Sequence, residues 1–189
     1  MKAVLMSIQP KYCELIASGK KTIEVRKSAP KLQTPFKCYI YCTQGKPLIF
    51  GGNKSFITDV FGLTKKYKNA TQKANLKKWN GKVIGEFVCD RVEMVNAQCS
   101  DYGIDLFYAD CSKYACLNVD EVNRYFGVKR DLRDMKGNGY GWHISDLKIY
   151  DKPKELGEFS KPRGTIIRAF ESQFIKSPPQ SWCYVEEEE

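Results

Sequence analysis

Charged side chains of three kinds lie within Gly19-Lys20-Lys21-Thr22-Ile23-Glu24-Val25-Arg26. Lys21 brings an ammonium, Glu24 a carboxylate and Arg26 a guanidinium. The guanidinium can hold a phosphate or a base edge in a two-pronged fork. The carboxylate can orient that fork or accept from an exocyclic amine. The ammonium can contact a phosphate or, when desolvated, act as a base. Residues 21–26 alternate, with Ile23 and Val25 on one side and Thr22, Glu24 and Arg26 on the other. That period of two predicts a half-buried strand. The plain alternative is a solvated strand face carrying one ion pair, a contact that contributes only ~0–1 kcal/mol.

The elements around the run must position it. Pro10 to Ser18 predicts a short helix, with Pro10 in its first turn and Gly19 in the left-handed position after its end. Phe36 to Thr43 reads as a strand with Cys38 and Cys42 on a common face, and Lys82 to Val95 as one long strand or two. Asn118 is placed to cap a helix with Glu121 in the reciprocal position, Val122 and Phe126 in its buried stripe and Gly127 at its stop. Further strands are expected at Tyr140 to Ser145, Asp146 to Tyr150, Thr165 to Phe170 and Trp182 to Val185. Four to six strands, two short helices and many Gly and Pro turns predict an α+β fold, a small mixed β-barrel with short flanking helices. Tyr41 and Trp142 are candidate stacking platforms on strands. His143, the single histidine, follows Trp142, so at most one of the two points into any given cleft.

The order of these segments resembles the ASCH domain family, a branch of the PUA-like barrels. Val4-Leu5-Met6 matches its first strand, and Ser7-Ile8-Gln9-Pro10 its small-polar-Ile-x-Pro turn. Gly19, Lys21, Glu24 and Arg26 match its G-x-K-x-x-E-x-R motif. Pro35-x-x-x-Tyr39-Ile40-Tyr41, Gly81 to Phe87, Tyr140 to Ile144 and Ile149 to Pro153 continue the likeness, especially to phage and prophage members. The resemblance covers most of residues 1–160 and implies a PUA-type barrel there, with 161–189 as a C-terminal extension. It also implies a ligand cleft between barrel and first helix, lined by Lys21, Glu24 and Arg26. Ser7, Tyr41, Trp142 and His143 complete the candidate binding residues. One branch of the family hydrolyses acetylated cytidine with a threonine nucleophile three residues after the catalytic lysine. Here that position holds Glu24, a poor substitute for a hydroxyl in acyl transfer. RNA cleavage is another theme of the family, and no acid–base pair beyond these same residues is visible for it.

A chain of 189 residues with 42% hydrophobic and 13% aromatic residues can bury a core, which excludes wholesale disorder. No apolar run approaches the ~18–20 residues of a membrane span, and the start lacks a signal peptide's apolar region. A cytoplasmic location without a membrane partner is therefore expected. The eight cysteines are expected as thiols, and their spacing with one histidine predicts no metal and no cofactor. Net charge is +9, yet seven lysines and no acid fall between Thr64 and Lys82, leaving +2 elsewhere. That stretch predicts an insertion at about 64–82, either a polyanion contact with Tyr67 and Trp79 for stacking or a solubilising loop.

These observations favour a nucleic-acid-binding module for RNA or a modified nucleotide, sited at Lys21, Glu24 and Arg26. The alternative is a nucleobase- or nucleoside-directed hydrolase, an acetylcytidine amidohydrolase-like enzyme or a ribonuclease, with Lys21 and Glu24 as acid–base partners. A third reading is an interaction protein whose barrel is only a scaffold. Protein partners are not indicated.

Overall fold

The computed structural model describes residues 1–44, 78–98, 113–126, 136–165 and 171–187. Most of the lysine-rich stretch (through Lys77), Cys111 and the strand expected over 166–170 lie outside the described residues. The described strands are β1 (Lys2–Ile8), β2 (Ile23–Arg26), β3 (Phe36–Cys42), β4 (Lys82–Cys89), β5 (Val92–Gln98), β6 (Lys136–His143), β7 (Ser145–Lys154) and β8 (Trp182–Glu186). Two α-helices, α1 (Pro10–Ala17) and α2 (Val119–Phe126), and a short 3-10 turn at Leu156–Glu158 accompany them. Lys82 to Val95 resolves into two strands rather than one.

Hydrogen bonding sorts the strands into a five-stranded sheet, β7-β4-β3-β1-β8, and a three-stranded sheet, β2-β6-β5. The fold is α+β, its described strands lie in two sheets, and the small mixed β-barrel expected from the sequence is not confirmed. Closure needs every strand to have two neighbours. Among the described residues β7, β8, β2 and β5 each have one.

The chain forms two compact units, each assembled from separated segments. The first comprises Met1–Glu14, Tyr39–Gly85 and Tyr150–Glu189, and the second Leu15–Cys38 and Glu86–Ile149. In the first, Ala3, Leu5, Tyr39, Tyr41, Val83, Phe159, Ile175 and Val185 form the core. β1 pairs antiparallel with β8 from Lys2↔Glu186 to Met6↔Trp182. In the second, β6 is the central strand, pairing antiparallel with β2 and with β5. Ile23 and Val25 pack there with Ala115, flanked by Leu117 and Phe126.

The local signals explain how β2 begins and how α2 starts. Gly19 has φ +70°, the left-handed conformation that ends α1. Its N–H bonds the Ile16 carbonyl at 2.8 Å, and that of Lys20 bonds Leu15 at 2.9 Å. This is a Schellman cap, which reverses the chain and delivers Lys21 to the start of β2. At α2 the Glu121 N–H donates to Asn118 Oδ1 at 2.8 Å, and the Asn118 N–H donates to Glu121 Oε2 at 2.9 Å. The reciprocal cap read from the sequence is therefore present.

Candidate functional site

β2 is buried on both faces, so the solvated-face reading of Glu24 and Arg26 fails. Lys21 is 2% exposed, Glu24 7% and Arg26 6%. The three form one cluster inside the second unit. Arg26 Nη2 lies 2.9 Å from Glu24 Oε1, and Lys21 Nζ lies 3.2 Å from Glu24 Oε2. Lys21 Nζ also donates to the Ala115 carbonyl at 2.6 Å. Each carboxylate oxygen thus faces one cation, and the ammonium is tied to backbone 94 residues away.

Sheet register decides what shares the face. Glu24 stands opposite Trp142 and Arg26 opposite Tyr140, while Ile23 stands opposite His143. In an antiparallel pair, directly opposed side chains emerge on the same side. Glu24, Arg26, Trp142 and Tyr140 therefore share one face, and His143 lies on the other. Trp142 is fully buried and packs edge-on with Phe36, the ring centroids 5.6 Å apart at 86°. The positive charge of Arg26 also reaches Cys38. Burial pushes that thiol well above its ordinary value, the nearby Cys89 adds to the rise, and the guanidinium opposes it.

A family model for the ASCH domain matches residues 6–174. The chain belongs to the ASCH domain family. Its fold is similar to that of an ASCH protein from Zymomonas mobilis, at 18% identity and a TM-score of 0.55, covering 98% of this chain and 88% of that one. A tyrosine-to-phenylalanine variant of the Zymomonas protein matches at 17% identity and a TM-score of 0.57, over 99% of this chain and 92% of that one. Its serine-to-alanine variant matches at 17% identity with the same TM-score, over 98% and 89%. At that identity the likeness concerns the fold. None of the curated proteins matches.

The remaining candidates of this ASCH chain sit elsewhere. His143 Nε2 lies 3.2 Å from Glu93 Oε2, its Nδ1 lies 3.2 Å from Arg91 Nη2, and Arg91 Nε reaches Glu93 Oε1 at 3.1 Å. That trio is a half-exposed polar cluster on the face opposite Glu24. Ser7 and Tyr41 belong to the first unit. Ser7 Oγ donates to the Pro179 carbonyl at 2.6 Å. Tyr41 is buried, which pushes its phenol up, and it borders a cavity of about 480 Å³ with Thr43, Gln44 and Lys176. Trp79, read as a possible base-stacking ring, is instead buried at 7% exposure. Cys38 and Cys42 are both buried thiols in β3. Among the described residues no group of His, Cys, Asp and Glu could hold a metal ion. Nor is any helix there long and apolar enough to cross a membrane.

The sequence reading missed three participants in the cluster's surroundings. The Ala115 carbonyl leaves no trace in residue type. Phe36 was legible only as a core strand residue. Tyr125 lay beside the predicted apolar stripe of α2, and only the fold shows its phenol responding to Arg26 and Glu24.

Proposed function

We propose that this ASCH domain binds RNA or a modified nucleotide through the Lys21–Glu24–Arg26 cluster. The observation that carries the reading is the burial of three charged side chains around one carboxylate. Apolar residues of similar volume commonly match or exceed a buried ionic set in stability. Recognition of a ligand is a role that would offset that cost. Glu24 fixes the guanidinium plane by holding one of its nitrogens, which suits a phosphate or a base edge.

The hydrolase reading draws on the contact between Lys21 and Glu24 at 3.2 Å. It is the weaker of the two. Both Glu24 oxygens are already engaged by cations, an arrangement that serves orientation better than proton abstraction.

Titration with nucleosides, nucleoside monophosphates and short RNAs tests the proposal. Arg26→Lys keeps the charge but loses the planar fork, so affinity should fall by ~5- to 150-fold, matching 1–3 kcal/mol. Glu24→Gln should be milder, because an amide oxygen still accepts from the guanidinium. Acetylcytidine should be turned over little or not at all. Wild-type affinity in Arg26→Lys would remove β2 from the site. Robust turnover lost on Lys21→Ala would favour the enzyme.

A further inference from the structure

Two tyrosines of the second unit are exposed, and each carries a lysine. Tyr114 is 46% and Tyr125 37% exposed. Lys113 Nζ lies 5.4 Å from the Tyr114 ring centroid, and Lys27 Nζ 5.5 Å from that of Tyr125. Both lysines are themselves exposed. The pairs stand at the two ends of β2. The Thr22 N–H, just before the strand, donates to the Tyr114 carbonyl at 2.9 Å. Lys27 directly follows Arg26, the last residue of the strand. From Thr22 to Lys27 an extended chain covers roughly 17 Å at ~3.3 Å per residue.

Both pairs are also linked to the buried cluster. Ala115, whose carbonyl holds Lys21, is the residue after Tyr114. The Tyr125 phenol is pushed up chiefly by burial, while the Arg26 charge lowers it, Glu24 raises it and a hydrogen bond from the Lys27 backbone lowers it. Its hydroxyl therefore lies within the electrostatic reach of the cluster.

We propose that Tyr114 with Lys113 and Tyr125 with Lys27 form a stacking surface for a single-stranded nucleic acid that runs past the Lys21–Glu24–Arg26 site. This rests on the nucleotide-binding reading of that site. An aromatic ring with an ammonium at its side offers a base a π face and the adjoining phosphate a cation. Exposed lysines argue against a protein partner, since lysine is depleted in protein–protein interfaces. The chemistry on the surface is common to RNA and DNA single strands.

Anisotropy titrations of the whole chain test it, using labelled oligouridylate and oligodeoxyuridylate of about a dozen nucleotides, within the usual site size. Duplex RNA of equal length and UMP are the controls. Tyr114→Ser and Tyr125→Ser should each weaken single-strand binding by ~5- to 150-fold. Tyr114→Phe and Tyr125→Phe keep the ring and should bind as the wild type does. UMP binding should be the same in both Tyr114 variants. Removing both lysines as Lys27→Gln and Lys113→Gln should reduce the log–log salt slope by ~0.7 per lost contact. Stronger binding of oligouridylate than of the deoxy strand would name RNA as the source, and equal binding would support either polymer. Serine variants that bind single strands as tightly as the wild type overturn the surface, even if Arg26→Lys still loses UMP. Duplex binding equal to single-strand binding overturns it too. Tyrosine-dependent strand binding without UMP binding keeps the surface and removes the buried site alone.

Discussion

Glu24 is clamped between two cations, so removing either one leaves a buried carboxylate short of a partner. Arg26→Ala should destabilise the protein by about 3–5 kcal/mol, read from the urea midpoint and slope. Replacing the whole set, as Lys21→Met with Glu24→Leu and Arg26→Met, should restore most of that loss while nucleotide binding stays absent. Retained binding in the triple variant would show the cluster to be structural only. The sequence made the shared face of Glu24 and Arg26 legible, because a period of two leaves no other arrangement. It did not make their burial legible. Polar residues alternating with apolar ones resemble a wet face, and here Trp142 stands opposite Glu24 on that face with Phe36 packed against it instead. The anchor of Lys21 on Ala115 was out of reach, since a backbone carbonyl 94 residues away carries no residue-type signal.

Between elements, α2 packs closely against β6 in the second unit. A Cβ built at Gly139 would meet Phe126 Cε1 at 2.1 Å and the Arg26 carbonyl at 3.0 Å. Gly139→Ala should therefore force the ring aside and cost about 1–3 kcal/mol, as overpacking does. Gly139→Ala combined with Phe126→Leu should lose less than the sum of the two single changes, because the smaller side chain relieves the clash that the alanine creates. Additive losses would mean that the two residues do not compete for this space. The end of α1 and the start of α2 were specified by sequence, whereas β6 begins at Lys136 ahead of the expected Tyr140 and β7 runs to Lys154 beyond the expected Tyr150. Gly19 and the Asn118–Glu121 cap each satisfy local backbone groups by local means, and such signals need no tertiary information. The need for a glycine at position 139 was not legible, because the ring that demands it arrives from another element. The division into two sheets was equally hidden, since strand pattern reports faces and leaves neighbours open.

At the scale of the molecule, several thiols share one response to alkali. Burial pushes Cys89 up to about 12 and Cys183 up to about 11 from an ordinary 9.0, and lifts Cys38 well above it. Above pH ~8.5 the unfolded chain's thiols lose protons that the folded chain retains. The unfolded state then binds fewer protons, so stability falls as pH rises from about 9 towards 12. Urea midpoints taken from pH 7 to 11 should be level at first and then decline. A midpoint that stays level to pH 11 would contradict the burial of these sulfurs. A different consequence follows from the pairing of β1 with β8, which joins residues 2–6 to residues 182–186. The ribosome makes β1 long before its partner. At roughly 5–20 residues per second, the edge that β8 will occupy stands open for on the order of 10–30 s. An unpaired strand edge is a template for any other strand, including β1 of the next nascent chain on the same message. The β1 edge is therefore open to wrong partners during translation, until β8 has left the exit tunnel.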